Sequence, residues 1–407
     1  MNKDRLIEFS LIGVIICGLT YAIFDHEFSN IFHNIKGALV DGGNDTTPES
    51  LLESKTKEKA DGGKISIPSL KIPFITKRQH AKPRDISEHV LRQSKSEAPL
   101  PYIVYQFQAP LLPQARLLDF RFFDDKFWFS GNTGLVGFDL SSEQWFVYDK
   151  HNGLPGDTAY DIEVADGELF IEAYNWKVKN ERRSLTGIGS YRFSNGKFNK
   201  FVGSIDTAEA GFKISSKLTG LQGAINDVIH HDDHVWASMR GKLVSREEGF
   251  RDGGVAKITN NGVLANTYTL TDGIADSYAF TMNVMQDNSL WLSHFKEERG
   301  LSVLRSGTTR WEMVKKSTNG INLGGVRLGS IKHILIIGQQ RGLVFYDTHS
   351  GKAYLVKESM GLPGYIVSGI QTVRDTVWVS AYSYAKDGQR STGLIQFEYH
   401  DIEALFL

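Results

Sequence analysis

DKFWFS at 125–130 recurs along the sequence as DHVWAS at 233–238, NSLWLS at 288–293 and DTVWVS at 375–380. In each copy, polar residues precede an alternation of apolar and aromatic residues that ends in Ser. Such alternation is typical of a β-strand entered from a tight hairpin turn. Weaker copies are GELFIE at 167–172 and KHILII at 332–337. The pattern therefore predicts six units of one β-strand repeat.

A turn motif separates the units. It reads GLPG at 153–156 and 361–364, with degraded copies GLQGA, GIADS and GINLG beginning at 220, 273 and 320. After Pro113 the only prolines are Pro155 and Pro363, both inside this turn. Proline has no amide hydrogen to donate to a β-ladder, so its absence from the other segments favours strands there.

Units of about four strands that recur along a chain predict a β-propeller, in which neighbouring sheets cover each other's faces. We predict an all-β, six-bladed β-propeller over residues 101–400, with seven blades as the alternative. The last unit lacks an outer strand before the chain ends. PYIVYQF at 101–107 is predicted to supply it and so to close the ring.

The GLPG turn, the hairpin, the Trp-Ser strand and the following Gly-Leu strand resemble the two-component-regulator propeller repeat over residues 102–399. That repeat occurs in bacterial periplasmic sensor domains, so the resemblance implies a sensor-type propeller. The chain differs from the sensor-kinase pattern in two ways. An apolar segment precedes the propeller, and no output domain follows it.

The N-terminal region predicts where in the cell the protein lies. FSLIGVIICGLTYAIF at 9–24 has no charged residue, and Lys3 and Arg5 precede it. An apolar helix is stable in lipid, and cations before it favour a cytoplasmic N-terminus. We expect residues 1–8 in the cytoplasm and a transmembrane signal anchor at 9–24, with a cleaved signal peptide as the alternative. The propeller would then lie in the periplasm, tethered to the bacterial inner membrane.

The flanks of the propeller are predicted to be unstructured. Residues 25–100 are rich in charge and proline and poor in aromatic residues, which predicts a flexible linker. Residues 401–407 are predicted to form a C-terminal tail.

Composition excludes several classes of protein. The 407 residues contain 46 Lys and Arg against 47 Asp and Glu, so no global positive field favours nucleic acid. The single cysteine, Cys17, excludes an intramolecular disulfide and a cysteine-based zinc site. HHDDH at 230–234 fits a hairpin turn better than a metal site, since adjacent strand residues point to opposite sides. We expect no cofactor and no metal.

A binding surface is predicted where the GLPG turns and the loops after the Trp-Ser strands emerge together. Those loops carry an excess of Lys and Arg, and tyrosines flank them. Such a surface suits an anionic peptide, a glycan, or a protein partner of the envelope or inner membrane. The residues predicted to form it are Tyr160, Tyr174, Arg183, Arg240, Tyr278, His294, Arg341, Tyr365 and Tyr382.

Three functions remain open at this stage. The first is a non-enzymatic binding scaffold or sensor module in an envelope assembly. The second is a propeller enzyme, a lyase or glycan hydrolase, which needs carboxylates or histidines clustered on the central channel. Glu172 is of interest here, because most other units have Ser at its position. The third is a purely structural assembly factor. The four repeated tryptophans are predicted to pack between blades.

Overall fold

The structure is a computed structural model of the chain. It describes residues 82–95, 100–108, 117–179, 182–245, 249–314, 316–383 and 392–407. The predicted membrane segment at 9–24 and most of the predicted linker lie outside these residues. Across the described ranges, no helix combines the length and apolarity that a membrane crossing requires. The chain divides into two compact units, Met1–Gln79 with Trp176–Gly187 and His80–Asn175 with Ile188–Leu407. The features described below lie in the second unit, apart from the parts of two strands that fall within Trp176–Gly187.

Three strands precede the repeats, and the first half of the repeats forms three antiparallel units, which are called sheets 1 to 3. One bridge, between Gly131 and Ala159, joins sheets 1 and 2 into a nine-stranded sheet that also includes the first described strand of the chain. The early strands are β1 (Arg84–Asp85), β2 (Val90–Lys95) and β3 (Tyr102–Phe107). Sheet 1 contains β4 (Leu117–Phe123), β5 (Lys126–Gly131), β6 (Gly134–Asp139) and β7 (Gln144–Tyr148). Sheet 2 contains β8 (Thr158–Ala165), β9 (Glu168–Lys179), β10 (Arg182–Ser194) and β11 (Lys197–Phe201). Sheet 3 begins with β12 (Ile225–His231) and β13 (His234–Met239). A separate hairpin of β14 (Lys242–Ser245) and β15 (Gly249–Arg251) follows. Sheet 3 then continues with β16 (Gly254–Thr259) and β17 (Leu264–Tyr268).

The second half of the repeats gives three more sheets. Sheet 4 contains β18 (Ala279–Val284), β19 (Leu290–His294), β20 (Leu301–Leu304) and β21 (Glu312–Met313), and a small hairpin of β22 (Ser317–Thr318) and β23 (Ile321–Asn322) follows it. Sheet 5 contains β24 (Arg327–Ile331), β25 (Ile334–Gln339), β26 (Gly342–Asp347) and β27 (Ala353–Val356). Sheet 6 contains β28 (Ile366–Val373), β29 (Thr376–Tyr382) and β30 (Thr392–Glu398), and then β3 and β2.

Few helices interrupt the strands. The α-helices of the described residues are α1 (Ile205–Ala210), α2 (Ser216–Thr219) and α3 (Tyr399–Ala404). Short 3-10 turns lie at Ser87–His89, Leu270–Asp272, Glu297–Arg299 and Glu358–Met360. The fold is therefore all-β and of the propeller type.

The predicted hairpin turns are confirmed by their backbone. Asp124 and Asp125 have φ of 54° and 54°, and Asp232 and Asp233 have φ of 48° and 56°. Two successive residues with positive φ match the twist of the strands they join, and Asp tolerates this conformation better than most residues. The two aspartates before the Trp-Ser strands of sheets 1 and 3 are thus required by the turn.

The predicted joining of the first and last strands is confirmed. β3 pairs antiparallel with β30, with Ile103 opposite Gln396 and Val104 opposite Ile395. β2 adds a fifth strand outside β3, with Val90 opposite Phe107. β2 and β3 are therefore hydrogen-bonded to the last sheet, which holds the two ends of the repeat together.

The repeated tryptophans pack between sheets, as predicted. Trp128 and Trp236 are 5% and 2% exposed, and Trp291 and Trp378 are each 4% exposed. Each lies in an apolar cluster shared with the following sheet: Trp128 packs with Ile162, Trp236 with Met282, and Trp291 with Leu335. Trp378 packs on Phe127 of sheet 1, with ring centroids 4.9 Å apart. Sheet 6 therefore packs against sheet 1.

The last glycine of the GLPG turn has a steric role. A Cβ on Gly156 would lie 2.7 Å from the carbonyl oxygen of Tyr174, and one on Gly364 would meet the backbone of Tyr382. Contacts this short are not tolerated, so only glycine fits where the turn crosses the end of the second strand. The motif therefore joins the turn to the strand end that carries the predicted binding residues.

Both predicted flanks need correction. The linker predicted over 25–100 ends earlier, because Arg84 pairs with Val147 and Ile86 is 1% exposed in the core. The tail predicted at 401–407 begins inside α3, where Ile402 is fully buried. In both cases apolar side chains pack on the core: Ile86 does so in the first segment, and Ile402, Leu405 and Phe406 do so in the second.

Candidate ligand site in the central channel

The innermost strands of several sheets carry a β-bulge at the same place. The pairing register shifts between Leu117 and Asp119 in β4, between Ala159 and Asp161 in β8, and between Ile225 and Asp227 in β12. A bulge adds one residue to a strand and re-aims the side chain that follows. In these three sheets that side chain is an aspartate, so three carboxylates occupy equivalent positions.

All three aspartates interact electrostatically with Arg121. Each is half-buried, while the next residue along each strand is buried between sheets: Phe120, Ile162 and Val228. Arg121 of sheet 1 acts electrostatically on Asp161 of sheet 2 and on Asp227 of sheet 3. Side chains from sheets that are not neighbours meet only near the centre, so the group lines the channel.

The serine of the Trp-Ser strand supports the bulge. Ser130 lies opposite Asp119 and its hydroxyl accepts a hydrogen bond from the Asp119 amide at 3.1 Å. Ser238 lies opposite Asp227 and donates to the carbonyl oxygen of Phe280 at 2.7 Å. In sheet 2 the residue opposite Asp161 is Glu172. This sheet thus places a second carboxylate where sheets 1 and 3 have a hydroxyl.

Arg121 is the cation of the cluster. Its Nη2 donates to Glu163 at 2.7 Å and its Nη1 donates to Asp119 at 2.9 Å. The Nε atom donates to both Glu163 oxygens at 3.1 Å. Burial alone would lower the pKa of Arg121, but the carboxylates of Asp119 and Glu163 raise it well above its usual value. Arg121 is therefore held by these two acids.

Helix α1 brings two further acids to the channel. Ser204 caps the helix by accepting a hydrogen bond from the Thr207 amide at 3.2 Å, and Gly211 ends it in the left-handed conformation. The helix lies beside β8 and β12, and its Asp206 and Glu209 act on the channel acids. Seven carboxyl groups thus interact near one arginine: Asp119, Asp161, Glu163, Glu172, Asp206, Glu209 and Asp227.

The crowding of acids shifts their protonation. Burial, together with Asp119 and Glu172, raises the pKa of Asp161 to about 8. Burial, Glu163 and Asp227 raise the pKa of Glu209 well above its usual value. Burial raises the pKa of Asp227 to about 6, although Met282 and Thr281 donate hydrogen bonds to it at 2.7 and 3.0 Å. At neutral pH the channel therefore holds both protonated acids and carboxylates.

Two predicted site residues adjoin this cluster. The rings of Tyr160 and Tyr174 lie 5.0 Å apart, and the Tyr174 hydroxyl donates to Glu172 at 3.2 Å. Burial and the charge of Glu172 raise the pKa of Tyr174. Aromatic rings beside carboxyl groups offer a ligand both an apolar face and hydrogen-bonding groups.

The other predicted site residues fall into separate places. Arg240 and Tyr278 form an isolated β-bridge, and the Tyr278 ring stacks on Phe295 at 4.8 Å. Arg341 is exposed beside Glu297, and Tyr365 is half-buried next to the sixth sheet. Tyr382 is 6% exposed at the end of β29. The Arg183 side chain lies outside the described part of the chain.

His294 is a structural residue in this structure. It is fully buried, and its Nε2 lies 2.9 Å from the Ser302 hydroxyl. Burial lowers its pKa to about 4, so the imidazole is neutral at physiological pH. The prediction that His294 contributes to a ligand surface is corrected on this ground, because it presents no surface to a ligand.

The HHDDH segment holds its histidines apart, in line with the hairpin interpretation. His230 Nε2 lies 2.7 Å from the Glu209 carbonyl oxygen, and His231 Nε2 lies 3.4 Å from the Asp232 carboxylate. His234 Nδ1 lies 2.5 Å from the Asp232 carbonyl oxygen. Among the described residues, these three histidines are not part of a group whose ligand atoms lie close enough together to hold a metal ion.

Solved structures of low identity resemble this chain. The extracellular domain of a hybrid two component system from B. thetaiotaomicron is 14% identical with a TM-score of 0.42, and the alignment covers 75% of this chain and 45% of that one. A gluconolactonase from Xanthomonas campestris is 10% identical with a TM-score of 0.47, covering 77% of this chain and 100% of that one. An oxidoreductase of glucose dehydrogenase type from a Thermus species is 11% identical with a TM-score of 0.38, covering 69% and 96%. No family model and no curated protein matches the sequence.

These likenesses do not establish a function. This chain spans less than half of the length of the extracellular domain that it matches. The prediction that the chain is not an enzyme is wrong as a conclusion from its fold, since similar structures include a gluconolactonase and an oxidoreductase. A fold hosts many activities, and the side chains of the site decide among them.

Proposed function

We propose that this chain is an extracytoplasmic, six-bladed β-propeller that binds a small, non-anionic ligand in its central channel. Carbohydrates and their amino derivatives are the first class to test. The observation that carries the proposal is the interaction of five carboxyl groups from sheets 1 to 3 and helix α1 with Arg121. Two more, Glu172 and Asp206, act on Asp161. Carboxylates accept hydrogen bonds from hydroxyl and ammonium groups and repel anions.

The tyrosines support a carbohydrate in particular. The Tyr160 and Tyr174 rings lie beside Glu172, which places aromatic surface next to carboxylate oxygens. Sugar rings present apolar faces and hydroxyl edges, so this pairing fits their chemistry. The anionic peptide predicted for the rim is a separate prediction, and the channel favours the opposite charge.

The experiment is a binding panel on the full chain. Neutral, amino and acidic sugars are titrated by calorimetry at pH 7 into wild type, Asp161→Asn and Glu172→Gln. We expect a neutral or amino sugar to bind, each substitution to weaken it about tenfold or more, and acidic sugars not to bind. Glu168→Gln is the matched control, because Glu168 lies on the same strand and pairs with Arg192. If no sugar binds, or if both variants bind as wild type does, the carbohydrate assignment fails.

A second candidate function is acid–base catalysis on the bound ligand. It rests on Asp161, whose pKa of about 8 leaves a protonated carboxylic acid opposite Glu172 at neutral pH. A protonated acid paired with a second carboxyl group is the usual equipment for glycoside cleavage or proton abstraction. Turnover that Asp161→Asn abolishes while ligand binding persists would support catalysis. Absence of product with every sugar that binds would leave binding alone.

The membrane anchor and the protein partner belong to the same proposal. We infer that residues 9–24 hold the chain at the bacterial inner membrane with the propeller in the periplasm. An envelope or inner-membrane protein would contact the rim that carries Arg240 and Arg341. Fractionation of cells expressing the full chain tests the anchor. Recovery of one stoichiometric protein by wild type but not by a variant with both arginines changed to Glu tests the partner.

A further inference from the structure

Two turns at one end of sheet 5 bring together side chains that the channel does not use. The turn between β24 and β25 carries His333, and the turn between β26 and β27 carries His349. Asp347 is the last residue of β26 and lies opposite Ile334 in the ladder. The amide and hydroxyl of Thr348 both donate to the His333 carbonyl oxygen, at 3.1 and 2.7 Å. These hydrogen bonds fix the two turns to each other. They do not involve the imidazole rings of His333 and His349.

The three side chains have nearly the spacing of metal ligands. His333 Nε2 lies 3.8 Å from Asp347 Oδ1, and one ligand atom from each of the three residues lies within 4.8 Å of the others. A tetrahedral ion with bonds of about 2.0–2.1 Å separates its ligand atoms by about 3.4 Å. The imidazoles lie face to face, with centroids 4.5 Å apart and planes 4° from parallel. The observed separations exceed that value, so binding an ion would require small movements of the side chains towards one another.

The carboxylate at this position is held in place. Asp347 is 6% exposed and accepts hydrogen bonds from the His349 amide at 2.8 Å and from the Ser350 hydroxyl at 2.6 Å. A ligand whose own neighbours fix its orientation binds a metal with less loss of entropy. His333 is one-quarter exposed and His349 is exposed, so water reaches the remaining coordination positions.

The nearest cation is engaged elsewhere. Lys332 Nζ lies 3.7 Å from the centre of the Tyr399 ring and 3.6 Å from Asp375 Oδ1. Its charge is therefore partly balanced by an aromatic face and by the carboxylate of Asp375. The site keeps one buried carboxylate and two imidazoles, a donor set suited to Zn²⁺ and its neighbours in the transition series.

We propose that His333, Asp347 and His349 bind one divalent transition metal ion, for which Zn²⁺ is the probe. The ion would join the two turns of sheet 5. The Tyr399 ring of α3 lies edge-on to His333, with centroids 6.4 Å apart, so the site also adjoins the C-terminal helix. The HHDDH segment, which looks more like a metal motif in the sequence, points its rings at separate partners and serves as the natural comparison.

The test is a Zn²⁺ titration of the full chain after treatment with chelator. We expect one site with a Kd in the micromolar range or tighter, weakened at least tenfold in His349→Ala and in His333→Gln. His349→Ala is the main variant, because an exposed turn side chain is not needed for folding. His400→Ala is the matched control, since His400 is exposed and pairs only with its neighbour Asp401 among the described residues. Co²⁺ in place of Zn²⁺ should give visible absorption bands in wild type that His349→Ala alters.

Thermal unfolding supplies a second readout. An ion at 100 times its Kd raises the ratio of folded to unfolded protein about 100-fold, and the melting temperature of wild type should rise accordingly. His349→Ala should lose that rise. The proposal is overturned if Zn²⁺ binds no tighter than about millimolar, or if both His variants bind as wild type does. It is also overturned if Asp161→Asn and Glu172→Gln abolish Zn²⁺ binding while His349→Ala keeps it, because the ion would then occupy the channel.

Discussion

The two halves of the channel share a fold and differ in charge. The innermost strands of sheets 1 to 3, namely β4, β8 and β12, carry Asp119, Arg121, Asp161, Glu163 and Asp227. The innermost strands of sheets 4 to 6, namely β18, β24 and β28, contain no acidic residue. The innermost strands therefore supply the acids of the candidate site in sheets 1 to 3, and they supply none in sheets 4 to 6.

In the half that lacks acidic residues, polar side chains form hydrogen bonds between neighbouring sheets. Arg327 donates to the Ser368 carbonyl oxygen at 2.7 Å, Gln371 to the Phe120 carbonyl oxygen at 3.2 Å, and Asn283 to the Ser330 hydroxyl at 2.9 Å. Each bond joins one sheet to the next. Polar side chains that are used in this way stabilise the ring, whereas the crowded acids of the other half oppose each other.

Replacing the arginine of each half is expected to give the largest difference in stability between the two halves. Arg121→Met leaves Asp119 and Glu163 without their cation, and both side chains are less than 15% exposed. Removing one partner of a buried ion pair costs about 3–5 kcal/mol. Arg327→Met removes hydrogen bonds to carbonyl groups and should cost about 1–2 kcal/mol. Urea unfolding at pH 7 measures both, and equal losses would contradict the division into two halves.

The pH dependence of the acidic half follows from Asp161. Its pKa is about 8 in the folded protein against 3.8 normally, so the folded state binds a proton that the unfolded state has released. That stability is complete below about pH 4 and is lost as the pH rises through about 8. Between pH 6 and pH 8 the free energy of unfolding should fall by about 2 kcal/mol more in wild type than in Asp161→Asn. Asp375→Asn, in an exposed turn, should keep the wild-type slope.

His294 gives the opposite slope in sheet 4. Its pKa is about 4 in the folded protein against 6.5 normally, so the unfolded state binds the proton first as the pH falls. Stability from the neutral imidazole is present above about pH 6.5 and lost on the way down to 4. Between pH 6.5 and pH 5, wild type should lose about 1–2 kcal/mol more than His294→Gln. Parallel unfolding curves for the two proteins would show that burial does not shift this histidine.

Replacing Glu172 is expected to change stability the least of these substitutions and to weaken ligand binding clearly. Glu172→Ser restores the residue that sheets 1, 3, 4 and 6 have at this place. We expect unfolding to change by less than about 1 kcal/mol, because a hydroxyl supports the bulge elsewhere. Affinity for the channel ligand should fall at least tenfold. Unchanged affinity, measured by calorimetry, would remove Glu172 from the site.

The sequence was informative where local chemistry decides the structure. The Trp-Ser strands, the polar turns and the pairing of residues 101–107 with the last sheet were all predictable, because strand periodicity and turn residues are local signals. β2 was missed since VLRQSK is a half-exposed outer strand without apolar alternation. Ile86 was missed because one apolar residue in a polar segment leaves no pattern, and α3 was missed because a helix of six residues is too short to show a period.

The site was predictable only in part. Glu172 stood out because it replaces a repeated serine, and Tyr160 and Tyr174 were predicted from the turn and the strand end. Asp161 and Asp227 had no signal, since their meaning comes from bulges in strands that are far apart in sequence. His333, Asp347 and His349 likewise meet through strand pairing. The longest histidine motif in the sequence, HHDDH, was not the metal-like arrangement.

A carbon-13 NMR titration of the aspartate side-chain carboxyl groups tests the convergence of the acids most directly. We predict one aspartate resonance that titrates near pH 8 in wild type and disappears in Asp161→Asn. If every aspartate of the folded protein titrates below about pH 5, the acids of sheets 1 to 3 do not meet at the channel, and the proposed ligand site is lost with them.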